Sequence, residues 1–164
     1  MFDLVPPDGL HLTLQKVGFT DEVDSAQLQA VTDATAQRCT DLASFVLRIG
    51  WLAGSQGAIR FTALPVETVV RVRQAVLEAL ADVCRPATDQ STESTTFWPH
   101  VSIAYCNTLT PATPVIERVA PLRSLPPAQV HVHTLDLVEL QRESKTYHWN
   151  AIAQVELEQV FRAS

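Results

Sequence analysis

Leu10-His11-Leu12-Thr13-Leu14-Gln15-Lys16-Val17 opens with an unbroken alternation of apolar and polar residues. A side-chain period of two marks a strand with one buried face, so a strand is expected over residues 10–17. His11, Thr13 and Gln15 would share one face, with Leu10, Leu12 and Leu14 on the other. Val17 falls out of phase near the end, and Gly18 closes the run. The same order of residue types returns in Phe97-Trp98-Pro99-His100-Val101-Ser102-Ile103-Ala104-Tyr105-Cys106. His11-Leu12-Thr13-Leu14 and His100-Val101-Ser102-Ile103 both read histidine, apolar, hydroxyl, apolar. Five histidines and 25 serines and threonines in 164 residues give roughly 0.8 chance occurrences of His-x-[Ser/Thr], so one copy means nothing. Two copies with apolar residues at both remaining positions have a chance of about 1%.

The spacing has direct chemical consequences. On a strand, residues two apart lie on one face, roughly 7 Å from each other. Two such strands side by side present two imidazoles and two hydroxyls to one groove, while the apolar residues anchor each strand to the core. Imidazole is the side chain that changes charge near neutral pH. One neutral and one protonated ring are the equipment for a general base and a general acid on opposite sides of a reacting centre. Hydroxyls can donate hydrogen bonds to phosphoryl oxygens and fix the geometry. Such chemistry requires neither a metal nor a covalent intermediate.

Outward from the two motifs, a helix is expected over 24–41, where Asp24 and Gln27 have capping-box spacing and Leu28, Val31, Thr35 and Cys39 follow at helical intervals. Two β-rich runs, 44–52 and 58–64, flank Gly54-Ser55-Gln56-Gly57 and predict a hairpin. Residues 65–84 form the clearest helix, with an apolar stripe of Val66, Val69, Val70, Val76, Leu77, Leu80 and Val83. Residues 87–96 are polar and read as a loop. Pro99 suits an edge or the start of a strand. A short helix is expected over 114–120, and long strands over 130–140 and 149–157. Mixed helices and hairpins give one α+β domain over residues 1–164 rather than a doubly wound sheet.

The net charge of −6 argues against wrapping a long duplex, which needs a basic face. It leaves room for a small phosphorylated ligand. The apolar runs are far shorter than the roughly 20 residues of a membrane span, and no secretory leader opens the chain. Cys39, Cys84 and Cys106 are odd in number and form no CxxC, so neither a disulfide framework nor a zinc ribbon is expected, and a reducing, cytoplasmic setting fits.

The paired motifs, the 65–84 helix, the Trp98-Pro99-His100-Val101-Ser102-Ile103-Ala104-Tyr105 segment and the late strands together resemble the 2H phosphoesterase superfamily, which includes bacterial 2′-5′ RNA ligase-like proteins and cyclic nucleotide phosphodiesterases. The resemblance implies a bilobal fold: two pseudo-symmetric βα halves, with antiparallel sheets, around a central groove. It implies His11 and His100 as the catalytic acid–base pair, His11 favoured as the acid, and Thr13 and Ser102 as the phosphate-binding hydroxyls, with no cofactor and no metal. The implied reaction is hydrolysis of a ribose 2′,3′-cyclic phosphate or a 2′-5′-linked nucleotide end, or the reverse 2′-5′ ligation. The implied partner is a small nucleotide or RNA terminus. The family usually carries a strand and a helix before its first motif, whereas ten residues precede His11 here. The N-terminal strand–helix unit is therefore expected to be missing, and an exposed sheet edge would favour a homodimer. The competing expectations are a non-catalytic nucleotide or RNA-end binding module and an inactive, truncated family member.

Several other residues admit a functional reading. His131-x-His133 could chelate a metal, but no third ligand lies at a familiar spacing, and a solvent-facing strand edge is the better reading. Tyr147-His148-Trp149 could stack on a base, although packing explains them as well. Arg48, Arg60 and the Arg142/Lys145 pair are candidate phosphate contacts that the sequence alone cannot aim. Gln15 shares the face of His11, and Cys106 has no feature that would activate its thiol.

Overall fold

The computed structural model describes residues 2–84, 97–109, 111–143 and 146–159. The expected 87–96 loop lies outside the described residues. The fold is mixed α+β. Strand β1 (Phe2–Leu4) is followed by a 3-10 turn, Pro7–Gly9, and an extended run to helix α1 (Ser25–Cys39). The hairpin β2 (Phe45–Gly54) and β3 (Ala58–Leu64) comes next, then helix α2 (Val66–Val83) and strand β4 (His100–Cys106). Helix α3 (Ala112–Val119) and a second 3-10 turn precede β5 (Ala128–Val132), β6 (Thr134–Glu143) and β7 (Thr146–Glu156).

Local chemistry explains most of these boundaries. Asp24 caps α1 in a complete capping box: its carboxylate accepts from the Gln27 amide at 2.8 Å, and the Gln27 side chain accepts from the Asp24 amide at 3.0 Å. In the β2–β3 loop, the Ser55 hydroxyl accepts from the Ala58 amide at 3.0 Å and fixes the turn. β2 carries a bulge between Gly50 and Ala53, and Trp51 within it has a φ of 53°. α2 buries Val69, Val72, Ala75 and Ala79. Of the expected stripe only Val69 is fully buried; Val66, Val76, Leu77, Leu80 and Val83 are half-buried, and Val70 is exposed.

The main sheet has five strands in the order β1-β4-β3-β2-β5, and β6 and β7 form a separate two-stranded sheet. The strand pairings within both sheets are antiparallel. The single strand expected over 130–140 is therefore two. The chain leaves the five-stranded sheet at His133, whose carbonyl accepts from the Leu157 amide at 2.8 Å, and continues into the hairpin. One core group (Cys39, Ala75, Val155, Leu157) joins α1 and α2 to that hairpin; another (Leu47, Ala63, Val69) joins α2 to the main sheet. Phe45 and Val132 pack against both, which makes the apolar interior continuous. Burying a valine- or leucine-sized side chain fully contributes roughly 1.5–3 kcal/mol. No helix among the described residues is long and apolar enough to cross a membrane.

The strand expected over residues 10–17 is not one. The segment makes the expected core contacts at Leu12 and Leu14, which pack against the Leu47–Ala63–Val69 group, but Leu10, expected on the same buried face, is exposed. The segment makes no ladder. Alternation reports which side chains are buried, whereas a strand also needs a neighbour's backbone, and here an arginine side chain takes the Leu14 carbonyl instead.

Candidate active site

His100 opens β4 directly after Pro99. Pro99 is fully buried, and its carbonyl accepts from the Ala63 amide at 3.0 Å. Val101 is buried on the core side; the pleat puts His100 and Ser102 on the opposite face, where His100 is half-buried and Ser102 is buried. The register then names their neighbours on that face: Thr62 stands opposite His100, and Arg60 opposite Ser102. Gly50 lies opposite Thr62 and Arg48 opposite Leu64, so Arg48 shares the face two strands away from β4. Arg48 is exposed and sits 5.9 Å over the Trp51 ring. Arg60 is half-buried, and no carboxylate lies within ion-pair distance of it among the described residues.

His11 follows the Pro7–Gly9 turn. Leu12 and Leu14 point into the core, Thr13 is exposed, and His11 is half-buried. One local feature recurs in both motifs. His11 Nδ1 donates to the carbonyl of Gly9 at 2.8 Å, and His100 Nδ1 donates to the carbonyl of Trp98 at 2.8 Å. A carbonyl can only accept, so each Nδ1 carries a proton and Nε2 is the ring nitrogen left outside that bond. Both rings are thus held by their own backbone in the same tautomer, two residues downstream of the acceptor. The sequence showed the His-x-hydroxyl spacing but not this bond, which depends on the backbone angles before each histidine.

Two links bring the motif segments together. Upstream, β1 runs antiparallel to β4, with Phe2 opposite Cys106 and Leu4 opposite Ala104, and the Val5 amide donates to the Ile103 carbonyl at 2.9 Å. The chain is then level with the start of β4, and the Pro7–Gly9 turn delivers His11 from there. Downstream, Arg73 of α2 donates from Nε to the Leu14 carbonyl and from Nη2 to Gln15 Oε1, both at 2.9 Å. Its guanidinium also lies 4.7 Å from the centroid of the Phe97 ring, three residues before His100. Gln15, a candidate ligand by position, is therefore engaged in holding its own segment.

The remaining candidates lie elsewhere. His131 is exposed on the edge strand β5 and His133 is exposed beyond its end, and no cluster of three metal-ligating side chains occurs among the described residues. His148 is exposed and Trp149 half-buried on β7. The Arg142 and Tyr147 side chains and Lys145 lie outside the described residues. Cys106 Sγ donates to the Thr108 carbonyl at 2.8 Å, and burial pushes the Cys39 thiol above its ordinary pKa. A surface pocket lined by Asp41, Ser44, Thr68 and Arg71 includes neither histidine motif. Its lining holds one carboxylate, Asp41, and no histidine.

The profile of the 2′-5′ RNA ligase superfamily matches residues 2–144. No curated protein matches the chain by sequence. Among solved structures, TT0787 of Thermus thermophilus is similar with a TM-score of 0.73 and 18% identity, over 97% of this chain and 84% of that one. Escherichia coli LigT complexed with 3′-AMP gives a TM-score of 0.65 and 16% identity, over 95% of this chain and 81% of that one. A structure described as a phosphoesterase gives 0.62 and 15%, over 95% and 86%. At these identities the likeness is one of fold. The profile match spans most of the sequence and both histidine motifs: the chain belongs to the 2′-5′ RNA ligase superfamily, the two-histidine phosphoesterases.

Proposed function

We propose that the protein is a metal-independent phosphodiesterase that opens ribose 2′,3′-cyclic phosphates at nucleotide or RNA ends, and that the same groups can run the reverse 2′-5′ ligation. The observation that carries this reading is the matched pair of backbone bonds, which leaves Nε2 of both His11 and His100 free to exchange protons. In the hydrolytic direction, Nε2 of the base, His100, takes a proton from a water as its oxygen bonds to phosphorus. The bond from phosphorus to one ribose oxygen breaks, and that oxygen takes the proton from Nε2 of the acid, His11. The product is a phosphomonoester, and the two rings have exchanged protonation states. Thr13 and Ser102 donate to the non-bridging oxygens, and Arg60, facing Ser102 across the ladder, adds positive charge where negative charge develops. The structures of E. coli LigT with 3′-AMP and with phosphate support a nucleotide-sized, phosphate-bearing ligand. The acidic net charge favours a small or terminal substrate over long RNA.

The test is turnover of a 2′,3′-cyclic nucleotide in the presence of EDTA, beside His11→Ala and His100→Ala. The expected result is chelator-resistant hydrolysis that falls on the order of 10² or more in each variant. Its pH profile should be a bell, because one group must act as acid and another as base. Binding without turnover would point to a nucleotide-binding module instead.

A further inference from the structure

Trp98 is 60% exposed, yet its backbone is pinned on every side. Phe97 before it packs against the core, Pro99 after it is fully buried, and its own carbonyl accepts from His100 Nδ1 at 2.8 Å. The Pro99 carbonyl in turn accepts from the Ala63 amide at 3.0 Å. The burial pattern alternates from Phe97 to Val101: Phe97, Pro99 and Val101 face the core and Trp98 and His100 face the other way, while Ser102, two residues on from His100 on the same side of β4, is itself buried. The indole stands one pleat upstream of His100, roughly 7 Å along the backbone. Trp51, another exposed tryptophan, lies beneath Arg48, whereas no basic side chain covers Trp98 among the described residues. A large rigid aromatic held beside an acid–base group is a poor use of surface unless something flat lies on it.

We infer that Trp98 is a base-stacking subsite: the nucleobase of a nucleoside cyclic phosphate, or of an RNA terminus, lies on the indole while its phosphate sits at His100 and Ser102. This rests on the function proposed above and adds a specificity-determining residue, the side chain that holds the base. One pleat is about the width of a ribose, which is what separates base from phosphate in that substrate. Every base has a π face, so the subsite selects for a base without specifying its identity, with larger purines held more tightly.

Calorimetry with two unreactive ligands tests this: adenosine 2′-monophosphate and methyl riboside 2-phosphate, which lacks the base. The wild type is expected to favour the nucleotide by on the order of tenfold. Trp98→Ala should collapse that ratio toward one, and Trp98→Phe should keep most of it. An unchanged ratio in Trp98→Ala overturns the inference while leaving the phosphodiesterase reading intact. Failure of the wild type to bind either ligand overturns the site itself. Thermal unfolding of each variant keeps loss of fold separate from loss of stacking.

Discussion

Arg73 and Arg38 invite opposite expectations from charge and from burial. Arg38 makes two ion pairs between α1 and α2, to Glu78 and to Asp82, on side chains that are a third to a half or more exposed. The hydrogen bond from Arg38 to Asp82 holds the guanidinium more firmly protonated than usual. Arg73 meets no carboxylate among the described residues. It donates two partly buried hydrogen bonds, to the Leu14 carbonyl and the Gln15 side chain, and lies over the Phe97 ring. Solvent screens the first set and not the second. Arg73→Met keeps the aliphatic stem and removes the donors and the charge. Two hydrogen bonds at about 1 kcal/mol each and a ring contact of about 0.5–1 kcal/mol sum to about 2–3 kcal/mol. In a chain of this length that lowers the melting temperature by about 5–10 °C. Arg38→Met should leave it almost unmoved. Thermal unfolding of both variants beside the wild type is the assay. Because Arg73 also fixes the segment that carries His11, cyclic-phosphate turnover should fall in Arg73→Met at temperatures where it is fully folded. If Arg38→Met proves as costly as Arg73→Met, the ranking by burial is wrong, and with it the reason given for the two motifs staying together.

Two further outcomes follow from the packing. A Cβ on Gly54 would meet Val115 Cγ1 at 2.9 Å and the Val115 carbonyl oxygen at 3.2 Å, so Gly54→Ala must displace the backbone of α3 and should cost about 1–3 kcal/mol by denaturant titration. Gly57→Ala, with open space around the new methyl, should be close to neutral. Cys39 is fully buried with a raised thiol pKa, so it should resist alkylation in the native protein and label only on unfolding, while half-buried Cys84 labels first. The raised value also sets a sign: its contribution to stability is whole below the ordinary thiol pKa and is lost as pH rises through the shifted one.

What the sequence made legible was what neighbouring residues settle among themselves. The Asp24–Gln27 box lies within one helical turn, and the Ser55 loop closes its own hairpin, so α1 and β2–β3 were readable. The fold class and the family followed from element order and the paired motifs. What failed needed a distant partner. Alternation over residues 10–17 placed Leu12 and Leu14 against the core correctly, but not the exposure of Leu10 or the absence of a ladder. The apolar run over 130–140 carried no mark that His133 would pass the chain from one sheet to another. Arg48 and Arg60 were indistinguishable until the register set Arg60 opposite Ser102 and placed Arg48 over Trp51. Arg73 gave no signal, because its partners are a carbonyl and a side chain 59 and 58 residues away.

The most direct measurement is a crystal structure of the protein with adenosine 2′-monophosphate in the groove. Nε2 of His11 and Nε2 of His100 are expected within about 2.6–3.2 Å of oxygens on the same phosphoryl group, with the Thr13 and Ser102 hydroxyls on its remaining oxygens. A phosphate bound by one histidine alone, or away from both, contradicts two-histidine catalysis in this protein.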